Sequence, residues 1–430
     1  MFDLEVFAGV DPLAEEAALV ARIAHLERVK AAAAAGQARA TAALDAARRS
    51  REAAEGVPAA KRGRGLASEV GLARRDSPVR GGTHLGFAKA LVNEMPHTLR
   101  ALERGALSEW RATLIVRESA CLGVEHRRQL DAEMCADVTA LEGKGDKAIE
   151  ADAKRIAYRL DPQAVVDRAA KAPAERTVTC RPAPDTMVYV TALLPVGQGV
   201  GVYAALKRAA DTTFDDRSRR QVMADTLVER VTGTPADVAT PVAVNLVMTD
   251  RSLIAGGREP AELAGYGPIP AAVARHMTAA ALTDARSTAS LRRLYRRPAT
   301  GSLVAMESRS RRFPKGLASL ITFRDQTCRT PYCDAPIRHI DHARPRRDGG
   351  PTSAVNGQGK CERCNYDKEA PGWRATTDTR TGPHTANLVT PTGARYRSTA
   401  PPLPGAPIIT VARLDTRVTI DVDGIRCHAA

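Results

Sequence analysis

The sequence predicts a multidomain α+β protein: a mainly helical N-terminal region, a small α+β middle unit and a C-terminal module stabilised by metal. Three observations carry this reading. At 430 residues the chain is several times the ~100–150 residues of a common domain, so a single core is not expected to serve all of it. Apolar residues recur at helical spacing in the first third and give way to β-branched runs after Ala170. Four of the eight cysteines form two close pairs late in the chain. A hydrophobic share of 44% against 26% charged residues supports packed cores and excludes wholesale disorder.

The helical region spans residues 1–165. Between Leu13 and Ala54 the chain is rich in Ala, Glu and Arg, with Leu19, Ile23, Leu26 and Val29 at helical spacing, which predicts one long helix or two broken ones. Residues 55–65 interrupt it with Gly, Pro and basic residues. Helical patterns resume over 66–75, 85–103, 107–119 and 126–141. The stretch Asp76-Ser77-Pro78-Val79-Arg80-Gly81-Gly82 separates the first two of these. A helix-turn-helix would put a recognition helix near Thr83–Leu91. Nine residues between helices is long for that motif, so an ordinary helical hairpin in a bundle is the preferred expectation.

The α+β continuation covers 166–285. Thr177–Cys180 and Met187–Leu194 read as a hairpin joined by Arg-Pro-Ala-Pro-Asp-Thr. Helices follow over 199–210 and 216–232, the second with Val222, Leu227 and Val231 on one stripe. Pro241–Met248 reads as a buried strand, Ala255–Pro268 as a Gly-rich loop and Ile269–Ala281 as a helix. Gly197-Gln-Gly-Val-Gly201 lacks the Lys-Ser/Thr of a phosphate-cradling loop. Neither a nucleophile elbow nor a paired carboxylate set stands out, so residues 1–285 declare no chemistry.

Charge points to an anionic partner. Sixty-three basic against 49 acidic residues give a net charge of +14, and nucleic acid is the commonest partner for such an excess. Residues 286–315 hold nine basic side chains, Arg311 and Arg312 among them, and one acidic residue, Glu307. This arginine-rich linker or helix (286–322) suits phosphate neutralisation. No run approaches the ~20 apolar residues of a membrane span, and the first residues lack a signal peptide's basic and apolar regions. A cytoplasmic protein with no membrane partner is therefore expected. Its thiols would stay reduced, which favours metal over disulfide for the cysteine pairs.

The C-terminal module (323–399) concentrates the chemistry. Cys328 and Cys333 are separated from Cys361 and Cys364 by 27 residues, the spacing of two knuckles on a structural tetrahedral Zn²⁺. So few apolar residues accompany them that metal ligation is expected to hold the segment together. Between the pairs lies Ile337-Arg-His-Ile-Asp-His342, a strand in which Asp341 and His342 face opposite sides and His339 shares the Asp341 side. A neutral imidazole at His342 can take a proton from water. The Gly349-Gly350 turn lets the chain double back so that Asn356 can steady the loop. Asn365, at the start of a helix, can offer its amide oxygen to a hard cation beside Asp341. One carboxylate and one neutral oxygen leave most of a Mg²⁺-type coordination sphere to water and phosphate. Arg344, Arg346 and Lys368 are candidate phosphate contacts, Trp373 is a packing residue of the module, and residues 385–399 can add a hairpin. The tail, 400–430, is Pro-rich and then β-like over Ile408–Ile425.

This segment, about 50 residues of Cys pairs, Asp341-His342, Asn356 and Asn365 in order, resembles an HNH endonuclease domain, a ββα-metal nuclease of the zinc-knuckle type. The resemblance implies DNA as partner and phosphodiester hydrolysis as activity, with no small-molecule cofactor. It makes His342 the general base, Asn356 the residue that holds the loop and the histidine, and Asp341 and Asn365 ligands of one catalytic Mg²⁺ or Mn²⁺. Asn365 replaces the final histidine of the pattern, and a similar Asp-His with Cys-x-x-Cys-Asn occurs in phage recombination endonucleases of the wider ββα-metal group. Upstream, Glu109-Trp-Arg-Ala, Arg220-Gln-Val-Met-Ala-Asp-Thr-Leu-Val and Gly265-Tyr-Gly-Pro-Ile-Pro270 resemble a domain of unknown function that precedes HNH modules in high-GC bacteria. Two other readings stay open: a zinc-stabilised DNA-binding protein with an inactive nuclease site, and an interaction protein whose basic charge is incidental. DNA target and oligomeric state are open as well.

Overall fold

A computed structural model describes residues 8–236, 238, 245–283, 312–379, 383–404, 419–422 and 425–428. Most of the arginine-rich stretch, Arg311 included, and most of the tail lie outside the described residues. The chain divides into two compact units. One comprises 1–236 with 331–333 and 366–372, the other 237–330, 334–365 and 373–430.

The first unit begins with a single helix, α1 (Glu16–Ala54). Its buried stripe is Ala31, Ala34, Ala35, Ala38 and Ala42, while Ile23 is 69% exposed. Leu19, Leu26 and Val29 are only partly buried, so the apolar residues that suggest the inner face are not the ones buried most deeply. Small alanines let neighbouring helices approach closely, and Phe87, Leu91, Leu99, Leu102, Ile115, Leu130 and Ile149 complete one core with them. These come from α3 (Pro78–Glu94), α4 (Pro96–Glu103), α5 (Glu109–Ser119), α6 (Val124–Cys135) and α7 (Asp146–Leu160). The pattern expected over 85–103 is broken at Met95-Pro96, because proline cannot donate to the preceding turn. Asp131 of α6 then caps α4, accepting from the N–H groups of His97 and Thr98, both at 2.7 Å.

The spacing between α2 (Leu66–Ala73) and α3 differs from the sequence expectation. Ser77 caps α3 by accepting from Arg80 N–H at 3.3 Å, and Pro78 occupies the first turn. Only four residues, 74–77, separate the helices, because Ser-Pro starts a helix as readily as it marks a loop. A Cβ on Gly81 would lie 2.0 Å from the Ala67 carbonyl, so the pair crosses backbone to backbone. Arg48 of α1 and Glu69 of α2 form a buried ion pair at 2.8 Å. After α8 (Pro162–Lys171) come the hairpin β1 (Thr177–Ala183) and β2 (Met187–Leu193), then α9 (Val196–Asp211) and α10 (Arg219–Thr232). Val222 is buried, but Leu227 and Val231 of the same stripe are exposed.

In the second unit, β3 (Leu246–Val247), β4 (Ala261–Leu263) and β5 (Gly267–Ile269) form an antiparallel sheet in the order β3-β4-β5. Residues 241–244 of the strand expected over Pro241–Met248 lie outside the described residues. The expected loop 255–268 instead carries β4 and β5, turning through Gly265 at φ +82°. A short helix, α11 (Asp250–Ile254), and α12 (Ala271–Thr283) flank this sheet, and Ala261, Ile269 and Ala274 form its small core. The remainder of the unit is α13 (Lys315–Asp325), the pair β6 (His339–His342) and β7 (Gly357–Lys360), α14 (Glu362–Asp367), and the meander β8 (Arg374–Asp378), β9 (Thr385–Val389) and β10 (Arg395–Thr399). β11 (Thr419–Val422) and β12 (Ile425–His428) pair near the end. Among the described residues no helix is long and apolar enough to cross a membrane.

Candidate functional site

The four paired cysteines converge. Sγ atoms of Cys328, Cys333, Cys361 and Cys364 all lie within 4.8 Å of one another. Tetrahedral thiolate ligation at ~2.3 Å requires sulfurs about 3.8 Å apart, so the set fits a divalent metal such as zinc. Backbone builds each knuckle: Cys328 N–H donates to the Ala335 carbonyl at 2.9 Å, and Cys364 N–H points at Cys361 Sγ at 3.4 Å. A hydrogen bond with Cys328 and burial both push the Cys361 thiol above its ordinary range. A cation at the centre would reverse that shift by stabilising the thiolates.

Beside the knuckles, β6 and β7 pair antiparallel in the register His339–Lys360, Ile340–Gly359, Asp341–Gln358 and His342–Gly357. The order is strand, loop, strand, helix, with α14 following β7 directly. Gly357 and Gly359 are where they are because a Cβ would meet Ile321 Cδ1 at 2.4 Å in one case and Ile337 Cδ1 at 2.4 Å in the other. His342 sits half-buried at the end of β6. Its Nε2 is 2.8 Å from Thr352 Oγ1, and its ring centroid is 4.5 Å from that of Phe313. Asp341 Oδ2 accepts from Gln358 Nε2 at 3.4 Å.

Asn356 is the tie of the connecting loop. Its Oδ1 accepts from Arg344 N–H at 2.9 Å, and its Nδ2 donates to the carbonyls of Arg344 and Pro351 at 3.0 and 2.8 Å. The turn below it uses Gly349 at φ +79°, and a Cβ on Gly350 would stand 1.9 Å from the Arg344 carbonyl and 2.8 Å from Asn356 Nδ2. Asn365 stands on α14, one residue beyond Cys364, with its N–H on the Cys361 carbonyl at 3.1 Å. Among the basic candidates, Arg312, Arg344 and Arg346 are exposed, whereas Lys368 is buried with its Nζ 2.5 Å from Glu369 Oε1.

The sequence reading missed the polar core that carries this loop. Asp325, fully buried, takes Arg324 in a bidentate pair at 2.7 and 2.9 Å and accepts from Gly359 N–H at 2.7 Å, with Arg329 3.6 Å away. Arg324 also reaches the Ala354 and Gly357 carbonyls. Lys360, the bulkiest fully buried residue, donates to Thr330 Oγ1 at 2.9 Å. His384 Nε2 donates to the Val355 carbonyl at 2.9 Å, and burial, aided by Arg324, lowers its pKa to about 4. The adjacent Arg324-Asp325 was the available signal, since such a pair at the end of an apolar helix can turn inward.

A family model described as a domain of unknown function (DUF222) matches residues 23–325, and the chain belongs to that family. The match stops three residues before Cys328. No curated protein and no solved structure matches the chain.

Proposed function

We propose that the cysteine-bearing module is a metal-dependent DNA endonuclease of the HNH, ββα-metal kind, built on a structural zinc. The observation that supports it most is the position of His342: at a strand end, on a loop braced by Asn356, between two cysteine knuckles. Thr352 orients the imidazole. In the tautomer that donates Nε2–H to Thr352, Nδ1 keeps the lone pair that accepts a proton from the attacking water. Asp341 and Asn365 would hold the divalent cation, Mg²⁺ or Mn²⁺, which when bound neutralises charge developing on the scissile phosphate. Exposed Arg312, Arg344 and Arg346 and the net charge of +14 suit a phosphate backbone.

The test is nicking or linearisation of supercoiled plasmid with Mg²⁺ or Mn²⁺, with zinc content measured on each protein. Native protein should cut. His342→Ala should lose at least a hundredfold in rate while keeping its zinc and its salt-sensitive DNA retention, within the range of one general base. Thr352→Val should lose less and shift the pH profile of cleavage. Salt-sensitive retention without cleavage by native protein would establish the other reading, a zinc-stabilised DNA-binding module with an inactive site, which Asn365 in the histidine position favours. Equal cutting by native protein and His342→Ala would remove His342 from the mechanism.

A further inference from the structure

The hairpin β1–β2 presents an unusual surface. Its register pairs Val178 with Ala192, Cys180 with Val190 and Pro182 with Val188, so six apolar side chains make up one whole face. All six are exposed, Val190 to 59%. The opposite face is mixed: Thr177, Thr179, Thr191 and Arg181, the last stacked 4.1 Å over the Tyr189 ring, alternate there with Ala183, Met187 and Leu193. The fully apolar face is the one that asks for a partner, since the other already mixes polar and charged side chains with its apolar ones. A two-stranded hairpin is marginal by itself, so its apolar face needs a cover. Two residues after β2, α9 begins with a second such surface. Val196, Val200 and Tyr203, at i, i+4 and i+7, are 82%, 63% and 63% exposed.

We propose that these two faces form the interface of a two-fold homodimer, the α9 stripe of each copy covering the strand face of the other. A second copy fits better than another occupant for three reasons. Neither face carries a charge, so the nucleic acid expected from the basic surface elsewhere has nothing to pair with here. The chain offers a flat strand face and a convex helical stripe in equal number, and one two-fold operation satisfies both twice, whereas a foreign partner must supply its own match to each. The six strand side chains together with Val196, Val200 and Tyr203 offer on the order of 800 Å² of exposed surface per copy. A stable interface needs roughly 800 Å² from each partner.

Sedimentation velocity of the full chain without nucleic acid tests this. The expected species at tens of micromolar is twice the 45.9 kDa chain mass. Val190→Glu on the hairpin and, separately, Tyr203→Glu on α9 should each weaken association at least tenfold. Val79→Glu, an exposed position on α3, should leave it intact and serves as the control for added charge. Cys180 provides an independent readout, since its alkylation should slow as protein concentration rises and stay fast in both interface variants. Helical circular dichroism confirms that each variant is folded, and the two substitutions lie on different elements, so loss of one does not remove the test. A monomer at the highest concentration, a dimer indifferent to both substitutions, or Cys180 protected equally at all dilutions would overturn the proposal. The last outcome would mean that another part of the same chain covers the face.

Discussion

The helical region around α1 and the cysteine module around β6 and β7 are stabilised by different physics. In the first, alanines of α1 and apolar residues of α3 to α6 share a core, and buried charges such as Arg48, Glu69 and Asp131 are paired or cap a helix. In the second, polar residues are buried about as often as apolar ones, Arg324, Asp325, Arg329, Asn356, Lys360 and His384 among them. Apolar burial is proportional to area and tolerant of detail, whereas a buried polar network is favourable only when its members are satisfied together. The module should therefore fail abruptly when one tie is cut, and the bundle gradually.

Metal removal separates the two regions most. If the cysteine cluster binds zinc as proposed, chelation withdraws an interaction of ~10–16 kcal/mol from the module and nothing from the bundle. Hydrogen exchange should then show the amides of 328–365 losing protection while those of 87–157 keep theirs, with one zinc per chain released. Protection of both regions after chelation would remove the metal from the account. Next in size, Asp325→Asn leaves Arg324 and Arg329 without their buried counter-charge and should destabilise the metal-loaded module by about 3–5 kcal/mol in urea unfolding.

His384 makes the contrast depend on pH. Its folded pKa of about 4 lies below the ordinary 6.5, so the unfolded chain binds the extra proton first as pH falls. The stabilisation is complete above pH 6.5 and is lost progressively down to about pH 4, at most roughly 3 kcal/mol. His384→Gln keeps a donor for the Val355 carbonyl, and the slope of module stability between pH 6.5 and 4 should be shallower in it than in native protein. Equal slopes would assign the acid sensitivity to other groups. In the bundle, Gly81→Ala forces the α2–α3 crossing apart and should cost about 1–3 kcal/mol by thermal unfolding, without altering metal content.

Much of this organisation was legible in residue spacing. Apolar periodicity placed the helices over 66–75, 107–119 and 126–141 close to where they stand, and β-branched runs placed the hairpin at 177–193. The cysteine pairs announced one site because two short spacings across a loop are hard to explain otherwise, and the four sulfurs do meet. Less visible were features whose meaning depends on partners distant in the chain. Leu19 and Ile23 satisfy helical periodicity as well as Ala31 and Ala35 do, but periodicity does not say which stripe meets a neighbour. Ser77-Pro78 fits a turn and a helix start equally, and only the close approach of Gly81 to Ala67 shows which applies. Arg324, Lys360 and His384 belong to residue types that usually face solvent, so composition places them outside.

What the sequence by itself determined was therefore local and periodic: element types, the cysteine quartet, the His342-bearing strand and the loop that Asn356 could brace. Each depends on spacing along the chain, which one-dimensional order preserves. Tertiary structure alone decided which helical stripe is buried and how residues 30 to 69 positions apart close on Asp325, Arg324 and Arg329. It alone showed a strand face left uncovered. Those outcomes follow from which surfaces meet and what dielectric they create, and burial of a charge is favourable only once its distant partner has arrived.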